Sequence, residues 1–292
     1  MQAEPLLQWS DPVKELIGFL ALFLSAGPIG FRYFALKSRR IETDRAFYDD
    51  AAQRAAIMGA IGVAIVLITA SIQLPALAAK KHTTVGGVLT TDPATMLQIG
   101  MAAVGLIGYL IASARKWIGW PIAAFGVLVG TLRLALLGQW SRVVNPVHSL
   151  AAGLWIGTLF VLAVAGLSAL FKHEPTRARR GAIAADMVNG FSPLALTMGG
   201  VVVVFGAITG WRHLHVLSNL WSTPYGLTLI AKLCFVAGVF ALGAWNWRRQ
   251  RPTLGSEPAA ASVKRSATIE LTLAAVVLII TSVLVSLPAP KA

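Results

Sequence analysis

The stretch GWRHLHVLSNLWSTPYG, residues 210–226, sets His213 and His215 two positions apart beside Trp211, Trp221 and Tyr225. Neutral imidazole is a ligand for transition metals, and His148 offers a third ring if the fold brings it over. Copper, as Cu(I) or Cu(II), and zinc suit such donors, whereas the lack of a carboxylate cluster argues against calcium or magnesium. Residues two apart splay on a helix but share a side in an extended segment. The competing reading is interfacial: Trp and Tyr gather at membrane boundaries, which would make Trp140, Trp211, Trp221 and Tyr225 anchors and the histidines ordinary neighbours.

A second group is polar and intramembrane. Lys232, Arg133, Glu270 and Asn246 lie within or at the ends of apolar runs, where a charge is costly unless paired or hydrated. Lys232 is eight residues past Pro224, about 12 Å into its helix, and is expected either to face the bundle beside a polar partner or to snorkel its stem toward the interface. Glu270 is expected to pair with a nearby cation or with Asn246. Such groups are structural ties or line an ion path. Met96 and Met101 offer thioether at most, and the lone Cys234 leaves no disulfide framework or CxxC pair. There is no P-loop, dinucleotide fingerprint, HExxH or GxSxG, so nothing recommends an enzyme.

The elements that position these residues follow from composition. The chain has 292 residues, 56% hydrophobic and 13% charged, with a mean hydropathy of +0.71. Soluble domains carry about 25% charge, which makes this an integral membrane protein. Residues 55–79, 93–114, 143–171, 187–211 and 271–290 are long runs free of Asp, Glu, Lys and Arg, and about 20 apolar residues cross a bilayer. Three further segments, near 16–31, 117–139 and 224–246, complete an all-α, polytopic transmembrane bundle. Its eight spans are predicted near 14–34, 56–78, 94–114, 117–139, 146–170, 190–211, 224–246 and 267–288. In the fifth, Asn145 is a candidate cap and Pro146 suits the first turn. Trp155 falls on the face of His148, and Gly153 and Gly157 permit close helix approach.

The formal net charge of +13 resides in short loops rather than in a nucleic-acid-binding patch. The loops after spans 1, 3, 5 and 7, which include Lys37, Arg39, Arg40, Arg177 and Arg251, carry most of the Lys and Arg. The positive-inside rule then predicts those loops, with His173, to be cytoplasmic. Both termini, His82, His148, His213 and His215 fall on the periplasmic side. No basic leader region precedes the first apolar segment, which is expected to remain as a helix. Without a residue-level repeat, residues 1–292 read as one integral-membrane domain.

Residues 145–290 resemble the CopD family of bacterial copper-resistance proteins of the inner membrane. The resemblance is carried by NPVHSLAAGLWIG at 145–157, FSPLAL at 191–196, ITGW at 208–211 and LWSTPYGLTLIAKL at 220–233. It continues in LGAWNWRRQRP at 242–252 and RSATIELTLAAVVLIITSVLVSLPAP at 265–290. It implies copper transport or delivery at the cytoplasmic membrane, with a periplasmic CopC-type protein as partner. Under it, His148 matches the histidine opening the fifth helix. Thr223, Tyr225, Gly226 and Lys232 match a T-x-YG…K signature, while Asn246 and Glu270 match the Asn and acid of the last two helices. Asn145 departs from the pattern, standing where the family often has an acid. Two other readings compete: an accessory or scaffold subunit of a respiratory or photosynthetic membrane complex, and a haem protein using histidines on facing helices.

Overall fold

The computed structural model describes residues 7–36, 44–172, 179–250 and 257–290. Lys37, Arg39, Arg40, His173, Arg177 and Arg251 therefore lie outside the described residues. The helices are α1 (Ser10–Ala35), α2 (Arg45–Lys80), α3 (Val85–Thr91), α4 (Pro93–Ser113), α5 (Gly119–Leu136) and α6 (Val144–Lys172). They continue with α7 (Arg180–Leu214), α8 (Asn219–Ser222), α9 (Pro224–Gln250) and α10 (Glu257–Ser286). Eight of them, all but the short α3 and α8, are long and apolar enough to cross a membrane.

These eight coincide with the predicted spans, but α2 and α7 begin about ten residues earlier than expected. Hydropathy marks only hydrocarbon-buried turns, whereas packing sustains the helix beyond them. In α2 the added turns bury Phe47, Tyr48, Ala51 and Ala52 against the protein. In α7 they bury Arg180, Gly181, Ile183 and Ala184, with the Arg180 guanidinium donating to the Phe171 carbonyl at 3.1 Å.

The bundle is organised around α1 and α6. Half of the most apolar stretch of α1 and 61% of that of α6 are buried within the protein, against 11% for α9. The first two are thus the protein-covered axis, and α9 is left facing lipid. α1 packs against α2 and α10 and crosses α6 through its 153–157 turn; α4 and α5 form a hairpin laid on α2. At the α1/α6 crossing a side chain on Gly27 would collide with the Gly157 backbone, so two glycines let the helix axes approach as small residues do in membranes. Thr158, fully buried, donates to the Gly27 carbonyl at 3.2 Å and closes the same crossing. α6 widens into π-helical turns at Gly153–Gly157 and Leu162–Leu167. A further tie joins α4 to α1, where the buried Tyr109 hydroxyl donates to the Ser25 carbonyl.

The link between α2 and α4 is a built corner rather than an open loop. Asp92 caps α4 by accepting from the Ala94 and Thr95 amides at 3.2 and 3.4 Å, and Pro93 occupies the first helical position. The same carboxylate takes a 2.6 Å ion pair from Lys81. That ammonium, donating to Asp92, holds its carboxyl below the ordinary carboxylate range.

Candidate functional site

His148 lies in the second turn of α6 and is directed at α7. Its Nδ1 lies 3.0 Å from the Val202 carbonyl, and its ring occupies the space over Gly206, where an added Cβ would sit 2.9 Å from His148 Cε1. A carbonyl can only accept, so in the neutral ring Nδ1 carries the proton and Nε2 keeps its lone pair. That is the tautomer in which histidines ligate metals, the other ring nitrogen donating to a carbonyl.

His213, two helical turns above Gly206 on the same α7, repeats the pattern. Its Nδ1 is 2.8 Å from the Thr209 carbonyl of its own helix, which again leaves Nε2 free. Tyr225, buried at the start of α9, stacks on this ring with centroids 5.9 Å apart and planes 13° from parallel. Tyr225 is therefore a positioning partner of His213 and not a lipid anchor. Trp140, Trp211 and Trp221 are each at least 60% exposed, as interfacial anchors should be.

Between the two histidines stands a pair that the sequence did not reveal in this role. Asn145 does not cap α6: the helix starts at Val144 with Val143 before it, and no side chain bonds to its first amides. Instead Asn145 Oδ1 accepts from the Thr209 hydroxyl at 2.9 Å, because position 145 already lies inside the helix and its side chain faces α7. Gly206, Thr209 and His213 recur at helical spacing on one face of α7, the signal that would have marked this seam.

Lys232 of α9 approaches the seam from a third helix, close enough for its charge to act on His148. One layer deeper, Trp155 meets Phe240 with ring centroids 4.8 Å apart, and both border Gly199. Trp155 and His148 thus face α7 together, as their seven-residue spacing implies.

Other candidates separate from this group. His215 ends α7 with φ 57° and is exposed; it stands outside the seam that holds His148 and His213. Among the described residues no three His, Cys, Asp or Glu side chains converge. Asn246 donates to Glu270 at 2.6 Å, with the Ser266 hydroxyl at 3.5 Å. That contact clamps α9 to α10 as one of the two expected pairings. Arg133 reaches the Gly130 carbonyl of its own helix at 3.0 Å and lies within electrostatic range of Asp92.

The seam is a line of donors rather than a chelate. Seven residues separate Gly206 from His213, about 10 Å along the helix, whereas nitrogens sharing one ion lie about 4 Å apart at bonds near 2 Å. The His213 ring leans back toward Thr209 of its own helix. The arrangement holds two imidazoles whose Nδ1 atoms are engaged by main-chain carbonyls, His213 near the end of α7 and His148 about two turns before it, the latter within electrostatic range of Lys232.

Residues 185–284 match the family model described as Copper resistance protein D, CopD. That region contains Val202, Gly206, Thr209, His213, Tyr225, Lys232, Asn246 and Glu270. The chain is also 30% identical over 146 residues to the Copper transport protein CutJ of Bacillus subtilis (strain 168). This alignment covers 49% of the chain but 24% of that relative, so the chain spans about a quarter of the relative's length. No solved structure matches the chain. Residues 185–284 are thus similar to the CopD copper-resistance family, within a chain whose described residues hold eight helices long and apolar enough to cross a membrane.

Proposed function

We propose that this protein moves or delivers copper at the bacterial cytoplasmic membrane through the α6/α7 histidine seam, acting as a single integral-membrane domain. The observation that carries the proposal is the shared geometry of His148 and His213. Each ring gives Nδ1 to a main-chain carbonyl and presents a free Nε2 on helices packed against each other within a CopD-like chain. In this reading His213, stacked on Tyr225, receives the ion, and His148 takes it deeper. Lys232 opposes long residence there by charge repulsion, and His215 collects copper at the mouth. The work is ligand exchange, with no covalent step.

The distribution of basic loops supports an orientation with both termini and the histidine end in the periplasm. A periplasmic copper-binding protein of the CopC type would then be the natural donor or acceptor at that end. Copper analysis of the protein purified in mild detergent, alone and as His148→Ala and His213→Ala variants, tests the site. Stoichiometric copper in the parent and at least about tenfold weaker binding in each variant are expected, roughly 1.4 kcal/mol or more. Unchanged copper affinity in both variants would remove the seam as the site.

A further inference from the structure

A second site lies at the opposite end of the bundle, between α2 and the C-terminal half of α6. Here an open cavity of about 410 Å³ has Arg54 and Lys172 at one end, with Ile57, Met58, Val164 and Ser168 among its walls. Its depth profile is informative. Arg54 directly precedes the uncharged run 55–79, and Lys172 directly follows the uncharged run 143–171. Both cations therefore sit at the edge of the hydrocarbon region on one face, while Val164 lies about 12 Å deeper than Lys172 by helix rise. Ile57 and Val164 are 47% and 46% exposed, so the groove opens outward, toward lipid.

Charge decides the occupant. Among the described residues, no acidic side chain lines the cavity and neither Arg54 nor Lys172 forms an ion pair. Asp50, one turn before Arg54, is engaged by Arg115 at 2.6 Å. Two cations at headgroup level with no acidic partner among the described residues call for an anion, and an apolar channel descending from them calls for a hydrocarbon chain. Basic pockets between transmembrane helices bind anionic lipid headgroups for this reason. A soluble anion would leave the apolar channel without purpose, and a neutral lipid would leave the cations without a counter-charge.

We propose that this groove binds one anionic phospholipid, its phosphate between Arg54 and Lys172 and an acyl chain lying along α2 and α6. The test is native mass spectrometry of the full chain reconstituted with phosphatidylcholine and a minority of phosphatidylglycerol. One retained phosphatidylglycerol is expected. Its retention relative to phosphatidylcholine should fall at least about tenfold in the Arg54→Gln/Lys172→Gln double variant, each cation near a membrane surface contributing severalfold. Ser168→Phe, which fills the groove and keeps both cations, should lower retention as well. An unchanged thermal midpoint in phosphatidylcholine alone verifies that each variant is folded. The proposal is overturned by equal retention of the two lipids in the parent, or by undiminished phosphatidylglycerol in the double variant. It is also overturned if retention survives Ser168→Phe, which would mean surface attraction without a groove, or if inorganic phosphate displaces the lipid, which would mean a soluble-anion site.

Discussion

In the function proposed above, His148 and Lys232 set the chemistry in the middle of the seam. An imidazole with a free Nε2 attracts a transition metal ion, and an ammonium acting on the same ring opposes it. In a partly buried environment such opposition is stronger than in water, since the effective dielectric is lower. Lys232→Met keeps the apolar stem and removes the charge. We expect this variant to hold copper about tenfold more tightly at equilibrium and to release it more slowly, as read by competition with a chelator and by flux in liposomes. A rise in dissociation rate would contradict the repulsive role. Gly206 belongs to the same scale: a Cβ there would sit 2.9 Å from His148 Cε1, so any larger residue must displace the ring.

Among the elements, the α1/α6 crossing carries the architecture. Gly157→Ala places a methyl group against the α1 backbone at Phe23 and Gly27, and overpacking of this kind costs about 1–3 kcal/mol. Unfolding in detergent should shift accordingly, with a smaller shift for Gly200→Ala, where nothing lies within 4 Å. The α2/α4 corner makes a pH prediction. Asp92 has its carboxyl lowered in the folded protein, chiefly by Lys81. Its contribution is complete above the unfolded Asp value of about 3.9 and disappears as pH falls through the lower folded value. Asp92→Asn keeps the cap and loses the charge, so its deficit should be present at neutral pH and vanish in acid. Asp92→Ala should cost about 1 kcal/mol more at neutral pH through the lost cap. Thermal unfolding of the three proteins across pH checks both statements.

On the scale of the whole molecule, an even number of spans returns the chain to the side from which it started. The prediction is directional: a cysteine introduced as His82→Cys, in a background with Cys234→Ala, should react with a membrane-impermeant maleimide added outside intact cells. One introduced at Arg115→Cys should react only after permeabilisation. The parent Cys234, on the lipid-facing α9, should be unreactive in both conditions. The reverse pattern would invert the bundle and place the histidine end in the cytoplasm. Because α1 packs on α6 and α10 as well as on α2, the first four spans and the last four share one interior and should unfold together.

The sequence by itself determined the number of spans, since a long uncharged run has no alternative way to satisfy its backbone in hydrocarbon. It also determined the asymmetry of the basic loops and the residues able to ligate a metal or clamp two helices, of which Asn246 and Glu270 are the clearest pair. What it left undecided was adjacency. Whether His148 meets α7, whether Asn145 caps its helix or bonds to Thr209, and which face Tyr225 presents depend on how helices far apart in the chain cross. Helix rotation and crossing are set by close contacts such as Gly27 with Gly157 and by the π-helical turns of α6. The Gly27–Gly157 contact joins residues more than a hundred positions apart, and local periodicity carries no record of it.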